Sequence, residues 1–426
     1  MRVGIIDADL LDHGTRHPNL ALMKISGYLR SQGNDTQLIL DHDIAEFSSH
    51  RDMLSSFDKV VVSKVFDFSK LPRILENPFA EERIMRQGAV LDDYIFKTRG
   101  PRIVFGGTGF IPYLKGEMPN HLPNEIEHQK PDYTLYDRFV DREINVRHKD
   151  PRHYDDYRYY SIGFTTRGCF RKCKFCVNRA YRYVEPHSPI EEFVDDARPY
   201  IYLWDDNFLG LKAHAKPGST KGGQTWRDIL RDLRDTGKPF QFRQGLDIRL
   251  MDDEIALALA ECRYHGDYIF AFDHFSQKAI ITKGFSVWRR HNPRKNTKAY
   301  VLCGFSDQGA KDISETFERI RILMTFGVLP YIMRHGNYLT SKYRSLYVQL
   351  ARWCNQPQFL KKKSFREYCE ACQCYHLQGE RRRKDMCAAY EAMRQFEIDE
   401  PMIARQYYDM KWSDLVDTWG CMTWQG

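Results

Sequence analysis

Thr165-Thr166-Arg167-Gly168-Cys169-Phe170-Arg171-Lys172-Cys173-Lys174-Phe175-Cys176 (TTRGCFRKCKFC, residues 165–176) sets three cysteines in the spacing C-x3-C-x2-C. The run before it, Tyr159 to Phe164 (YYSIGF), is rich in aromatic and β-branched residues, which predicts a strand ending where the cysteines begin. Three thiolates on one short loop supply three bonds to a metal. Structural zinc is closed by four ligands, whereas a reactive metal keeps a position open. Clustered thiolates also suit iron–sulfur centres. A four-iron cluster on three cysteines leaves one iron free for a substrate or cofactor. A zinc knuckle with a distant fourth ligand, or three unrelated cysteines, are the other readings of this spacing.

The loop, with aromatic Phe175 just before the last cysteine, resembles the signature of the radical S-adenosylmethionine (radical SAM) superfamily. The resemblance implies a [4Fe-4S] cluster on Cys169, Cys173 and Cys176 whose open iron is chelated by SAM. One electron from such a cluster cleaves SAM to methionine and a 5′-deoxyadenosyl radical, which abstracts a hydrogen atom. The LP…PDYTLY…TTRGC layout between Leu122 and Cys169 is similar to a bacterial and phage-type radical SAM group.

Working outward, 426 residues suffice for two or three domains. With 42% hydrophobic and 28% charged residues the chain reads as globular rather than disordered. No apolar run approaches a membrane span and the start lacks a signal-peptide profile, so the expectation is a cytoplasmic protein without membrane contact. Eleven cysteines, three of them in this loop, favour metal binding in a reducing compartment over a disulfide framework. A formal charge of +7 permits an anionic partner without demanding one.

Before the loop, strands are predicted at Met1–Asp7, Thr36–Leu40, Lys59–Phe66 and Arg102–Gly107, with a helix from Pro18 to a stop at Gly33. This alternation predicts a doubly wound parallel sheet over residues 1–140. Residues 76–100 read as an insertion, and Leu122–Tyr136 as the connection to the next domain. The arrangement resembles the cobalamin-binding-like domain that precedes many radical SAM barrels. Gly106-Gly107 falls where such domains let a cofactor approach the backbone. The D-x-H-x-x-G signature is absent, since Asp9 to Gly14 lacks its spacing, so cobalamin and a ligand-free scaffold both stay open.

After the loop the chain repeats strand and helix. Strands are predicted at Tyr200–Trp204, Phe240–Leu250, Tyr268–Phe272, Ala299–Gly304 and Leu329–Met333. Helices are predicted at Thr225–Thr236, Asp252–Arg263 and Asp312–Phe326, the last with Asp312 as N-cap. These units match the partial (βα)6, TIM-like barrel of the radical SAM family over 155–338, and parallel barrels carry their chemistry at the carboxyl ends of strands. There the resemblance implies that Asp205, Asp206 and Asn207 accept from the SAM ammonium, with a plain strand–helix turn or N-cap as the other reading. It further implies that Asp273 meets the ribose or a substrate proton, that Arg249 or Arg334 pairs with the SAM carboxylate, and that Gly304 lets the backbone approach adenine or ribose. Phe175 belongs to the same cofactor-binding set. Asp247 and Arg249 alternate with apolar neighbours on the expected third strand. Arg167, Arg171, Lys172, Lys174 and Arg179 make the cysteine loop basic, suiting a thiolate-bound cluster, a solvated face or the docking of an electron donor.

Residues 339–426 predict a mainly helical region with a second cysteine group. Cys369, Cys372, Cys374 and Cys387 lie within nineteen positions, which fits an auxiliary iron–sulfur cluster, four-cysteine zinc, or free thiols on an amphipathic helix. Methylation or another functionalisation of a nucleic acid or peptide is the expected kind of reaction. A non-catalytic zinc-holding nucleic-acid-binding protein is the alternative. A SAM-independent redox protein would need Cys262 or Cys303 as fourth ligand.

Overall fold

The computed structural model describes residues 1–75, 103–113, 122–219, 224–377 and 384–418. It is a mixed α/β chain with parallel sheets, and no helix among the described residues is long and apolar enough to cross a membrane. The chain divides into two compact units: Met1–Asp206 with His214–Phe240, and Asn207–Ala213 with Gln241–Gly426. The division falls inside 155–338, whereas the sequence suggested breaks on either side of that span.

In the first unit the strands β1 (Arg2–Asp7), β2 (Asp35–Leu38), β3 (Lys59–Ser63) and β4 (Ile103–Gly106) form one parallel sheet in the order β2-β1-β3-β4. β1, β3 and β4 lie within predicted strands but are shorter, and β2 begins one residue before the predicted Thr36 and stops short of Leu40. The helix Leu20–Ser31 is capped by the Asn19 side chain, which accepts from the Leu22 N–H, and buries Leu22, Met23, Ile25 and Leu29. Beyond it Gly33 takes φ +75°, a conformation that favours glycine. The insertion expected at 76–100 lies outside the described residues. Gly107 is required by packing: a Cβ there would stand 2.3 Å from the Lys64 carbonyl oxygen.

The stretch Leu122–Tyr136 is more than a connection. Ile126, Tyr133, Leu135 and Tyr136 are buried with Val3, Ile5, Leu22 and Leu29 in the core beside the first sheet. Its aromatic content is the reason, since each tyrosine carries a large apolar ring and a polar tip that finds a buried partner. Tyr136 donates to the Asp7 carboxylate at 2.7 Å. The Tyr133 hydroxyl donates to Phe193 O at 2.6 Å and accepts the Ile162 N–H at 2.8 Å. Ile162 belongs to β5 (Tyr160–Gly163), the strand predicted before the cysteines. β5 runs parallel to β8 (Tyr200–Leu203), while β6 (Thr166–Arg167) and β7 (Glu185–Pro186) form a short antiparallel ladder at the neck of the cysteine loop. The helix Trp226–Asp235 follows the prediction. Thr225 and Asp228 cap one another reciprocally, and Trp226, Ile229, Leu230 and Leu233 are buried.

The strand β9 (Phe240–Phe242) is far shorter than the predicted Phe240–Leu250. Gly245 at φ +90° breaks the extended run, and Ile248–Leu250 coils into a 3-10 turn capped by Asp247. In the second unit β10 (Tyr268–Ala271), β11 (Thr297–Cys303) and β12 (Leu329–Arg334) form a parallel sheet in that order. Helices Asp253–Ala260, Lys278–His291 and Ala310–Thr325 occupy the connections. The last is capped at Gly309, and Asp312 turns back instead to accept the Gly304 N–H and the Tyr347 hydroxyl, each at 2.8 Å. Among the described residues, Arg319 and Arg289 are buried without a hydrogen bond to a carboxylate. Arg319, 2% exposed, donates to the carbonyls of Phe272, Asp273 and Leu302, tying the ends of β10 and β11 together. Arg289 does the same for the carbonyls of Phe326, Gly327 and Lys295. At the free side of β12 the Asn355 amide pairs with Ile332, accepting its N–H at 2.7 Å and donating to its carbonyl at 3.1 Å. Helices Arg344–Cys354, Phe365–Leu377, Lys384–Asp399 and Pro401–Tyr407 complete the region that the sequence marked as helical.

Candidate metal centre

The cysteine loop leaves the sheet at the carboxyl end of β5, and two successive carboxylates at the end of the adjacent β8 hold it. Asp205, 3% exposed, accepts four hydrogen bonds: from the N–H groups of Thr165 (3.2 Å) and Thr166 (2.5 Å) and from both threonine hydroxyls (2.6 Å each). Burial pushes its pKa up to about 6, against the pull of those donors. Asp206 takes the loop itself. It accepts the Gly168 N–H at 2.8 Å and the Asn178 side-chain amide at 2.7 Å, on the two sides of the cysteines in sequence, with Arg167 Nη1 3.9 Å away. These carboxylates, which the resemblance assigned to the SAM ammonium, shape the loop.

Gly168 is the hinge of that shape. It sits at φ +93°, and a Cβ there would lie 2.4 Å from Tyr183 O. A turn from Cys173 O to the Cys176 N–H, 3.0 Å, draws the second and third cysteines together. Cys169, Cys173 and Cys176 are partly exposed and form no disulfide. Backbone N–H groups point at two of the sulfurs: Arg171 at Cys169 and Asn178 at Cys176, both at 3.4 Å. Such donors stabilise thiolates and tune thiolate-bound clusters. Burial first, and then the neighbouring Cys169 and Cys173, raise the Cys176 pKa. Among the described residues no three His, Cys, Asp or Glu side chains already stand at metal-ligand geometry. The donor set nevertheless fits a thiophilic centre: three soft ligands on one hinge-bent loop, two with sulfur-directed N–H donors.

The basic side chains brace the loop from outside. Lys172 Nζ donates to the carbonyls of Arg179 and Tyr181, and Arg179 donates to Lys174 O at 3.1 Å. Arg167 lies 4.0 Å over the Phe164 ring, while Phe170 stacks on His214 at 3.8 Å. Phe175 is half-buried. Below the neck lies a charged group the sequence did not point to. His187 donates its N–H to Thr165 O, its ring stacks on His128 at 5.0 Å, and its Nε2 lies 3.4 Å from Glu127, which pairs with buried Lys24. Burial lowers the His187 pKa to about 3, so the ring is neutral at pH 7. Only distant pairings assemble this group, and no local motif announces it.

The second unit holds the other expected residues. Asn207 caps the short helix Gly210–Ala213, its Oδ1 accepting the Gly210 N–H at 3.2 Å. Arg249 forms a two-pronged ion pair with Asp247 (2.5 and 3.0 Å) and donates to Gln277 at 3.0 Å, so its charge is matched locally. Gly304, at φ +70°, packs against Tyr338, whose Cβ would be 2.8 Å from an added methyl. Asp273 stands at the carboxyl end of β10, its pKa raised by burial against the pull of Arg319. Arg334 is exposed and donates to the Tyr338 hydroxyl at 3.1 Å. Cys369 and Cys372 lie one turn apart on Phe365–Leu377, both buried, and the Cys372 thiol donates to Tyr368 O. The side chains of Cys374 and Cys387 lie outside the described residues. No protein-family model matches the chain, and no curated protein is significantly similar to it.

Proposed function

We propose that the chain is a radical SAM enzyme whose [4Fe-4S] cluster is held by Cys169, Cys173 and Cys176. The observation that carries this reading is the double carboxylate clamp. Asp205 and Asp206, at the end of β8, hold the residues before and within a loop that presents three cysteine thiols at the carboxyl end of a parallel strand. A solvated turn needs no pair of carboxylates committed to its backbone, one of them buried, whereas a site that must keep its ligands in register does. When bound, the cluster supplies the electron that cleaves SAM to methionine and a 5′-deoxyadenosyl radical.

The protein's own part is positional. Asp206 holds the Gly168 hinge, the N–H groups of Arg171 and Asn178 stabilise sulfur charge, and the backbone-bonded Lys172 and Arg179 brace the loop. The reading entails a cobalamin-binding-like sheet over β1–β4, with or without cobalamin, and a partial (βα)6 barrel drawing its later strands from β10, β11 and β12. It also entails an electron donor and a reducing, cytoplasmic setting. That setting is compatible with the eight cysteines whose side chains are described, none of which forms a disulfide. Anaerobic reconstitution with iron and sulfide, reduction, and addition of SAM test the reading. A SAM-sensitive EPR signal with release of 5′-deoxyadenosine is expected, and Cys173→Ala is expected to abolish both. Stoichiometric zinc without SAM cleavage would overturn it in favour of a structural zinc protein.

A further inference from the structure

Parallel sheets are normally covered on both faces. The sheet of the second unit is covered throughout on one face, but on the other only over β10, where Ile269, paired with Lys298, is 4% exposed. Along β11 burial alternates, with Thr297, Ala299, Val301 and Cys303 buried and Lys298, Tyr300 and Leu302 only partly so. The register pairs Tyr300 with Tyr331 and Leu302 with Met333, which places these four side chains on the same face. In the folded chain Tyr331 is 38% and Met333 45% exposed. The Tyr300 and Tyr331 rings meet edge to face at 5.7 Å, and Lys298 lies over the Tyr331 ring at 6.0 Å while paired with Asp267. Tyr331 and Met333, with the half-buried Tyr300 beside them, thus present an aromatic ring and a thioether at the accessible β12 side of the sheet.

Charge indicates what the platform receives. Of the chain's 64 Lys and Arg, 29 lie in this unit, against 22 of its 57 Asp and Glu, so the whole formal excess of +7 resides there. Part of it is presented outward. Arg334, where β12 ends, is exposed and hydrogen-bonds only the Tyr338 hydroxyl among the described residues. Lys361 and Lys362 are exposed beyond the helix Pro357–Leu360. Stacking faces on a cationic body are the recognition chemistry of unpaired bases on a phosphate backbone. A base inside a duplex is stacked on both faces and cannot lie on a sheet.

We infer that this unit binds single-stranded nucleic acid, with a base stacked on Tyr331 at the accessible β12 side of the sheet. The inference rests on the proposed radical SAM reading only in making that strand the enzyme's substrate. Binding itself is measured without SAM, iron or reductant, so either idea can fail alone. The test is fluorescence anisotropy of the full chain with a labelled single strand of roughly a dozen nucleotides, as DNA and as RNA. Wild type is expected to bind at least one form, with affinity falling steeply as salt rises. Tyr331→Ala is expected to weaken binding roughly 5- to 100-fold, the loss of one base–aromatic stack, with the salt slope unchanged. Tyr331→Phe is expected to restore it, and because Tyr331 is partly exposed both variants should keep the wild-type circular dichroism. Lys361→Glu with Lys362→Glu should instead flatten the salt slope. No binding by wild type, equal affinity of Tyr331→Ala, equal binding of the matching duplex, or equal competition by polyglutamate would each overturn the inference.

Discussion

Asp205→Asn separates charge from hydrogen bonding at the clamp. The carboxyl pKa rises from 3.8 to about 6 in the folded chain, roughly two pH units, which corresponds to about 3 kcal/mol. Between those values the folded state keeps a proton that the unfolded chain has released. This group's stabilising contribution is therefore complete below pH 3.8 and is lost as pH rises through about 6. Asparagine carries no charge at any pH and removes that dependence. It also replaces one acceptor with an NH2 group. If its oxygen takes the Oδ1 position, three of the four donors stay satisfied and the Thr165 N–H faces another donor, costing about 1–3 kcal/mol. Two consequences are expected. Near pH 4 the variant is less stable than wild type by about 1–3 kcal/mol, and near pH 7 this gap closes or reverses because the variant escapes the buried charge. Hydrogen exchange of peptides containing Thr165 and Thr166, corrected for intrinsic rates, reads the local opening free energy at both pH values. A gap that stays constant from pH 4 to pH 7 would refute the reasoning.

Gly168→Ala adds a methyl that meets Tyr183 O in a left-handed conformation, so the chain is expected to fold yet retain little iron and sulfide on reconstitution, measured by metal analysis. Arg319→Lys replaces a fork donating to three strand-end carbonyls with a single ammonium, and should cost about 3 kcal/mol, seen as a lower urea midpoint at unchanged slope. Cys369→Ala and Cys372→Ala remove buried thiols from a helix and should each cost on the order of 1 kcal/mol while leaving iron per chain unchanged. Cys176→Ala should have the opposite profile, with iron lost and stability nearly kept.

Periodicity made most elements legible. Val3, Ile5 and Ile6 read as a buried strand, and Trp226, Ile229, Leu230 and Leu233 as one helix face, because local pattern and tertiary burial agree there. It misled at Phe240–Leu250, where alternation continued past Gly245 although the backbone did not. The helix Lys278–His291 goes beyond the expected elements although its sequence carries a signal, since Ile281, Phe285 and Trp288 stand at helical spacing and are buried. The cysteines were visible because their spacing is local. The work of Asp205 and Asp206 was not, because their partners lie 28 to 40 residues earlier and half of them are backbone N–H groups, which every residue but proline possesses. Asp312 shows the same limit: its position suggested a cap, and its real partners are a glycine amide and a tyrosine hydroxyl on other elements.

The pairing of Asn355 with Ile332 bears on what the protein avoids. A parallel sheet ending in a bare strand is a template on which another chain can add itself, the first step towards domain swapping or fibrils. Outward-facing backbone groups on β12 alternate, so with Ile332 facing out its companions are Pro330 and Arg334. Proline offers no N–H, the Asn355 amide occupies both groups of Ile332, and the third position carries a charge. A foreign strand therefore finds little of the ladder left to join. Keeping that edge shut matters most for a sheet whose accessible aromatic side would otherwise invite stacking between copies, so loss of one asparagine side chain should be felt first as aggregation.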